Sequence, residues 1–265
     1  MNDQSNNLLT DTDARGVCTF TLHRPERRNA FDGELIRALL AALKERADDP
    51  RLRVLVITGS GKAFSSGADL EWMRPRESAR AQGAGDEEAR LLAELMRVLH
   101  DFTRPTVARV NGPAFGGALG MIAACDIALS ARHAVFAFSE VRLGLIPAVI
   151  APYVVAAIGE RDTRRLFLTA ERFSAEDALR IGLVHGVAEG SELDTLVGHH
   201  VDMLLRGGPA AQVECKALLR RLGGVNRDEP TAELITRLRM SAEGREGMSA
   251  FLEKRDPDWI KKEGG

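Results

Sequence analysis

Three features of this sequence carry residue types suited to chemistry. The first is the glycine pair Gly116–Gly117 inside VARVNGPAFGGALGMIAACDIALS, residues 107–130. Residues 107–110 read as a strand with β-branched valines at both ends, Gly112 and Pro113 stop them, and the small-sided run 118–124 follows the glycines as a short buried helix. A glycine pair at a helix start leaves backbone N–H groups unpaired and lets another group approach closely. Those N–H groups carry the positive end of the helix dipole, which suits a carbonyl oxygen as it becomes negative. Taken by itself, the stretch reads slightly better as a turn packed tightly against a sheet. The second feature is the loop GSGKAFSSG, residues 59–67, followed by Ala68 and Asp69. In a parallel sheet both turns lie at the C-terminal edge, where ligands bind. The N–H groups of Ala68 and Gly117 are therefore expected to converge on one oxygen, an arrangement in which losing one donor costs about 10²–10³ in rate.

The third feature is Glu140, set between Phe138 and the nearly all-apolar residues 143–151. Desolvation there raises a carboxylate pKa, which suits a group that both takes and gives a proton near neutral pH. Without further support, a helix-start glutamate facing water is the more common reading. The remaining candidates are weaker. Asp126 reads as a buried structural acid and Asp69 as a helix cap. The six histidines show no metal spacing, so no metal is expected. Ser65–Ser66 lacks a nucleophile elbow. GSGK at residues 59–62 lacks the full phosphate-loop spacing, and no strand leads into GxGxxG with a downstream acid.

The elements that must position these residues follow from periodicity. Residues 17–22 and 54–58 read as strands, the second covered on both faces. Asp32 caps a helix to about residue 47 with Leu35, Ile36, Leu39, Leu40 and Leu43 on one face. Residues 69–73 read as a short helix, 74–86 as a mobile surface segment, and 87–102 as an amphipathic helix. Residues 134–138 form a further strand. Helices are expected at 161–169, 175–181, 192–205, 209–222, 231–240 and 242–255. Strands alternating with helices in the first half predict an α/β fold with a parallel sheet, and the later helices predict a lid or an oligomerisation module.

Composition narrows the partners. A net charge of -2 with acids and bases interspersed gives no footprint for nucleic acid. No apolar run approaches a membrane span. The polar, acidic residues 1–14 read as a frayed lead without a signal core. Cys18, Cys125 and Cys215 are far apart among apolar neighbours, which predicts reduced, buried thiols and a cytoplasmic setting.

The motifs KAFSSGADL (62–70), NGPAFGGALG (111–120), CDIALS (125–130) and SEVRLGLIP (139–147), with HRPERRNAF early and GMSAFLEKRDPDW late, resemble the crotonase superfamily of enoyl-CoA hydratases and isomerases. The likeness runs from about Gly16 to Trp259. It implies a ββα spiral core over residues 15–200 and a helical trimerisation region over 201–265, in a homotrimer or hexamer. It also implies an acyl-CoA substrate and no separate cofactor, since coenzyme A is part of the substrate. The N–H groups of Ala68 and Gly117 become an oxyanion hole for the thioester, with Glu140 as the acid–base. The resemblance places Arg28, Ser66, Ala68, Asp69, Leu70, Gly116 and Gly117 along the CoA, and gives Phe251 and Lys254 to a neighbouring subunit's CoA. Many hydratases carry two glutamates, and the first falls here on Gly120. The sequence looks most like a bacterial branch of methylglutaconyl- or carboxygeranoyl-CoA hydratases, which shares that glycine. Hydration of a 2-enoyl-CoA is the leading expectation. A Δ3,Δ2-enoyl-CoA isomerase using Glu140 alone and a non-catalytic acyl-CoA-binding scaffold are the alternatives. Arg142 reads as a surface residue.

Overall fold

Strand pairing begins near the start of the chain. In a computed structural model that describes residues 7–69, 84–222 and 241–260, β1 (Leu8–Thr12) pairs antiparallel with β2 (Val17–Leu22), Leu8 opposite Leu22 and Thr12 opposite Cys18. Residues 8–12, read as part of a frayed lead over residues 1–14, thus form a strand instead. Only Leu8 of β1 is buried, so backbone hydrogen bonds carry the strand and no apolar alternation marks it in the sequence. α1 (Gly33–Ala47) starts where expected, with the Asp32 carboxylate accepting from the Leu35 N–H at 2.9 Å, and it buries all five anticipated apolar residues.

β3 (Val54–Gly59) runs parallel to β2 and is buried along its whole length. α2 (Ala84–His100) leads to β4 (Thr106–Val110), then β5 (Ala114–Phe115), α3 (Gly117–Ala124), β6 (Ile127–Ala131) and β7 (Val135–Ala137). α4 (Ala151–Thr169), β8 (Phe173–Ser174), α5 (Ala175–Arg180), β9 (Gly186–Ala188), α6 (Leu193–Arg206), α7 (Pro209–Leu222) and α8 (Ala242–Glu253) complete the described elements. The main sheet has the order β1-β2-β3-β4-β6-β9, and every pair after the first is parallel. β5, β7 and β8 form a small second sheet.

Burial on both faces explains the unbroken apolar run of β3. Leu55 and Ile57 join the core that includes the α1 leucines, while Val54 and Val56 pack with Leu193, Val197 and Val201 of α6. Alternate residues thus serve two layers, as a covered parallel strand requires. The end of the chain is tied to this sheet by Arg53, whose guanidinium donates to the carbonyls of Leu205, Gly207 and Trp259.

Several boundaries differ from expectation. α4 begins at Ala151 rather than residue 161, and joins two helical pieces at Gly159, where φ is 76°. α2 begins at Ala84 and takes in the end of the segment read as mobile. The short helix expected at 69–73 and the helix at 231–240 lie outside the described residues, beyond Asp69 itself. Cys18 and Cys125 are buried, and desolvation pushes the Cys125 thiol up to about 12. Cys215 is exposed instead, because α7 buries none of its residues. Among the described residues no helix is long and apolar enough to cross a membrane.

Candidate active site

The first turn is held from below by a buried asparagine. Asn29 is fully buried with φ at 55°, a left-handed conformation that asparagine tolerates better than most residues. Its Nδ2 donates to the carbonyls of Ser60 and Ala63 at 2.9 Å and of Phe64 at 3.2 Å. Ser66 N–H donates to the Arg28 carbonyl at 2.9 Å, so the loops carrying Arg28 and Ser66 lie together, with the Arg28 side chain exposed. Asp69 faces Arg24, which also pairs with the α1 cap Asp32 at 2.9 Å. The helix that Asp69 was expected to cap lies outside the described residues, as does Leu70.

The direction of the Ala68 N–H follows from its neighbours. Phe31 and Ala68 form a parallel bridge in which the Phe31 N–H donates to the Gly67 carbonyl and the Asp69 N–H to the Phe31 carbonyl, both at 2.8 Å. A trans peptide points its C=O and the next N–H in opposite directions. The Ala68 N–H therefore points away from Phe31.

The second turn reaches the first across the gap between β3 and β5. Phe115 N–H donates to the Ser65 carbonyl at 3.0 Å, and a Cβ at Gly67 would lie 2.4 Å from the Phe115 carbonyl and 3.4 Å from the Gly117 nitrogen. Gly67 and Gly116 have φ of 83° and 53°, so both positions demand glycine on conformation as well as space. Gly116 caps α3 without any side-chain bond, which leaves the Gly117 N–H at the open end of the helix.

Glu140 begins a 3₁₀ turn (Glu140–Leu143) beside these glycines. A Cβ at Gly116 would stand 3.0 Å from its Oε1, while Oε2 is buried and has no hydrogen-bond partner among the described residues. Desolvation raises its pKa above the ordinary carboxylate value, and the Glu140 backbone N–H offsets part of that rise. Arg142 is exposed.

Gly120 lies one turn along α3 from Gly117. A Cβ there would sit 2.1 Å from Ile150 Cγ2 and 2.6 Å from Ile150 Cβ, with Met96 Sδ at 3.4 Å. The space where a second glutamate side chain would begin is filled by Ile150, which is itself 2% exposed.

Two expected residues fall elsewhere. Asp126 is structural but not buried: its carboxylate accepts from the Thr106 N–H and hydroxyl at 2.7 and 2.9 Å and from Lys216 Nζ at 2.5 Å. Lys254 is exposed just past α8, and the Phe251 side chain lies outside the described residues. Trp259, which follows them, is anchored to Arg53 just ahead of β3, at the sheet edge opposite Gly59. Sequence reasoning missed Asn29 and Ile150, and weighed Ser65 only as a nucleophile. Asn29 left the trace of an asparagine in a tight loop, whereas Ile150 and the bridging role of Ser65 left none. Among the described residues no group of three His, Cys, Asp or Glu side chains is placed to hold a metal ion.

Comparison with known proteins identifies the family of the chain. The family model described as Enoyl-CoA hydratase/isomerase matches residues 12–262. The chain is 41% identical to the solved structure of an enoyl-CoA hydratase from Shewanella pealeana, covering 97% of each chain at a TM-score of 0.90. It is 30% identical over 247 residues to the 2,3-dehydroadipyl-CoA hydratase of Escherichia coli, covering 92% of this chain and 94% of that one. It is 34% identical over 260 residues to a carnitinyl-CoA dehydratase of Salmonella arizonae, with 92% and 94% covered. Two glycine turns meeting beside a half-buried glutamate, in a chain matched nearly end to end, make this protein a member of the enoyl-CoA hydratase/isomerase family within the crotonase superfamily.

Proposed function

We propose that this acyl-CoA enzyme adds water across the double bond of a 2-enoyl-CoA. The observation that carries the reading is the Oε2 of Glu140, buried next to the glycine turns and without a partner among the described residues. A carboxylate oxygen held out of water without a partner is costly unless a reacting group supplies one. In this reading the Ala68 and Gly117 N–H groups donate to the thioester oxygen. Glu140 removes a proton from water as the water oxygen bonds to C3. The π pair of the C2=C3 bond shifts into C1–C2 as the carbonyl π pair moves onto the thioester oxygen to give an enolate, which then takes the proton back from Glu140 at C2. Backbone donors aimed at the enolate and a carboxylate with a raised pKa supply the two terms this reaction needs. The CoA runs along the loops of Arg28, Ser66 and Asp69. The acyl group is a branched, methylglutaconyl type, a choice supported by the likeness of SEVRLGLIP and the residues after it to that branch.

The chain works as a trimer or a pair of trimers. Ile146, Leu168 and Leu219 are 74%, 71% and 67% exposed, apolar surface that neighbouring copies would cover. Phe251 and Lys254 serve the CoA of such a neighbour.

A second reading is favoured by Gly120. With Ile150 closing the space beside it, one carboxylate acts alone. A lone carboxylate suffices to carry a proton from C2 to C4 of a 3-enoyl-CoA. Incubation with crotonyl-CoA, 3-methylglutaconyl-CoA and a 3-enoyl-CoA separates the readings. Loss of conjugated-thioester absorbance means hydration, and its gain from the 3-enoyl substrate means isomerisation. No change with any of them favours a non-catalytic acyl-CoA binder.

A further inference from the structure

Two amides that share one oxygen must keep their spacing, yet here they sit on separate loops, one after β3 and one after β5. Ser65 lies at the contact between those loops, next to the bond from the Phe64 N–H to the Pro113 carbonyl at 3.1 Å. Ser65 is fully buried and forms a parallel bridge with Ala114, and its carbonyl accepts the Phe115 N–H at 3.0 Å. Its hydroxyl faces the other way. Oγ donates to the Asn29 carbonyl at 2.7 Å and accepts the Gly67 N–H at 3.1 Å. Asn29 is a firm abutment, since its own amide group binds three carbonyls of the same loop.

We propose that Ser65 is a positioning residue whose hydroxyl sets the direction of the Ala68 N–H relative to the Gly117 N–H. Gly67 has no side chain to hold it, and its φ of 83° sits in a region where glycine alone moves freely. Two bonds restrain it: its carbonyl to Phe31 on one side and its N–H to Ser65 Oγ on the other. Removing the hydroxyl frees one end of this residue. The peptide that carries the Ala68 N–H then gains freedom to rotate, while the backbone bond from Phe115 keeps the loops together. A misaimed donor loses stabilisation of the developing charge and leaves ground-state binding of the CoA intact. The inference rests on the reading of the two amides as an oxygen-binding pair.

The test uses acetoacetyl-CoA, whose enolate absorbs in the near ultraviolet and presents a negative oxygen to the amides. Wild-type protein at fixed pH should raise the enolate band. Ser65→Ala should lower the bound enolate fraction about 10-fold, and lower kcat on the turned-over acyl-CoA by about 10–10², below the cost of losing a donor outright. KM and the Kd of free CoA should stay within about threefold, and the pH midpoint of turnover should not move. Exchange of the Gly67 amide hydrogen should quicken. If Ser65→Ala is not obtained folded, Ser65→Cys, which keeps a weak acceptor for the Gly67 N–H, is read by the same ratio and should fall between. An enolate band and kcat equal to wild type in the folded variant overturn the positioning role alone. A wild-type protein that raises no enolate band overturns the paired-amide reading and this inference with it.

Discussion

α3 has a carboxylate at each end, and the two are held in opposite ways. Past its C-terminal end, Asp126 accepts two hydrogen bonds from Thr106 and an ammonium from Lys216. Beside its N-terminal end, Glu140 keeps one oxygen buried and, among the described residues, unpartnered. The helix dipole disfavours negative charge near Asp126 and favours it near the Gly117 end, so fixed partners are supplied where the dipole is adverse. Asp126 directs one oxygen, Oδ2, at all three of these partners and so joins α7 to the sheet, with the residue open to solvent. Glu140 has buried capacity left over, and that is what marks it as the group able to handle a proton.

The contrast breaks first if Glu140 proves dispensable. Glu140→Gln should lower turnover by about 10²–10⁴ with the Kd for CoA little changed, by steady-state kinetics alongside equilibrium binding. Full activity in that variant would falsify the assignment. Next, the packing on α3 sets how far the arrangement can be altered. Gly120→Ala should destabilise by about 3 kcal/mol, read in urea unfolding, because Ile150 has no room to yield. Relief of that loss by Ile150→Ala in the double variant would sharpen the point, and a neutral Gly120→Ala would remove it. Asp126→Asn weakens the bond to Lys216 and should reduce stability by about 1–2 kcal/mol while folded protein turns over within about twofold of wild type. A large kinetic defect there would erase the distinction between the two ends.

The smallest effect is a pH dependence of stability. Burial lifts the Glu140 pKa in the folded state above its unfolded value of 4.5. Between those two values the folded protein binds more protons than the unfolded chain, so this group's contribution falls as pH rises through the window and then levels. Glu140→Gln lacks that fall. Thermal midpoints measured from pH 4 to pH 8 should therefore drift in favour of the variant as pH increases, and parallel profiles would mean that the carboxylate is well solvated.

Much of this could be read in the chain. The spacing of Leu35, Ile36, Leu39, Leu40 and Leu43 and the run of β3 betray their elements because helical period and two-sided burial are local patterns. Gly67 and Gly116 stood out for the same reason, since a positive φ is a demand on a single residue. β1 was not legible, because backbone pairing leaves no mark on side-chain type when one residue in five faces the core. Nor was the exposure of Cys215, which sits on a helix that buries none of its residues.

The sequence by itself determined which residues are able to turn, cap and carry a proton, since those capacities belong to each residue and its immediate neighbours. Only the tertiary structure decided which of them meet. It set Ser65 against Phe115, put Ile150 in the space beside Gly120, gave Asp126 a lysine from 90 residues away and left Glu140 an oxygen with no partner among the described residues. The reason is physical. A hydrogen bond across distant loops and a filled cavity depend on how whole layers pack, and no local period encodes that.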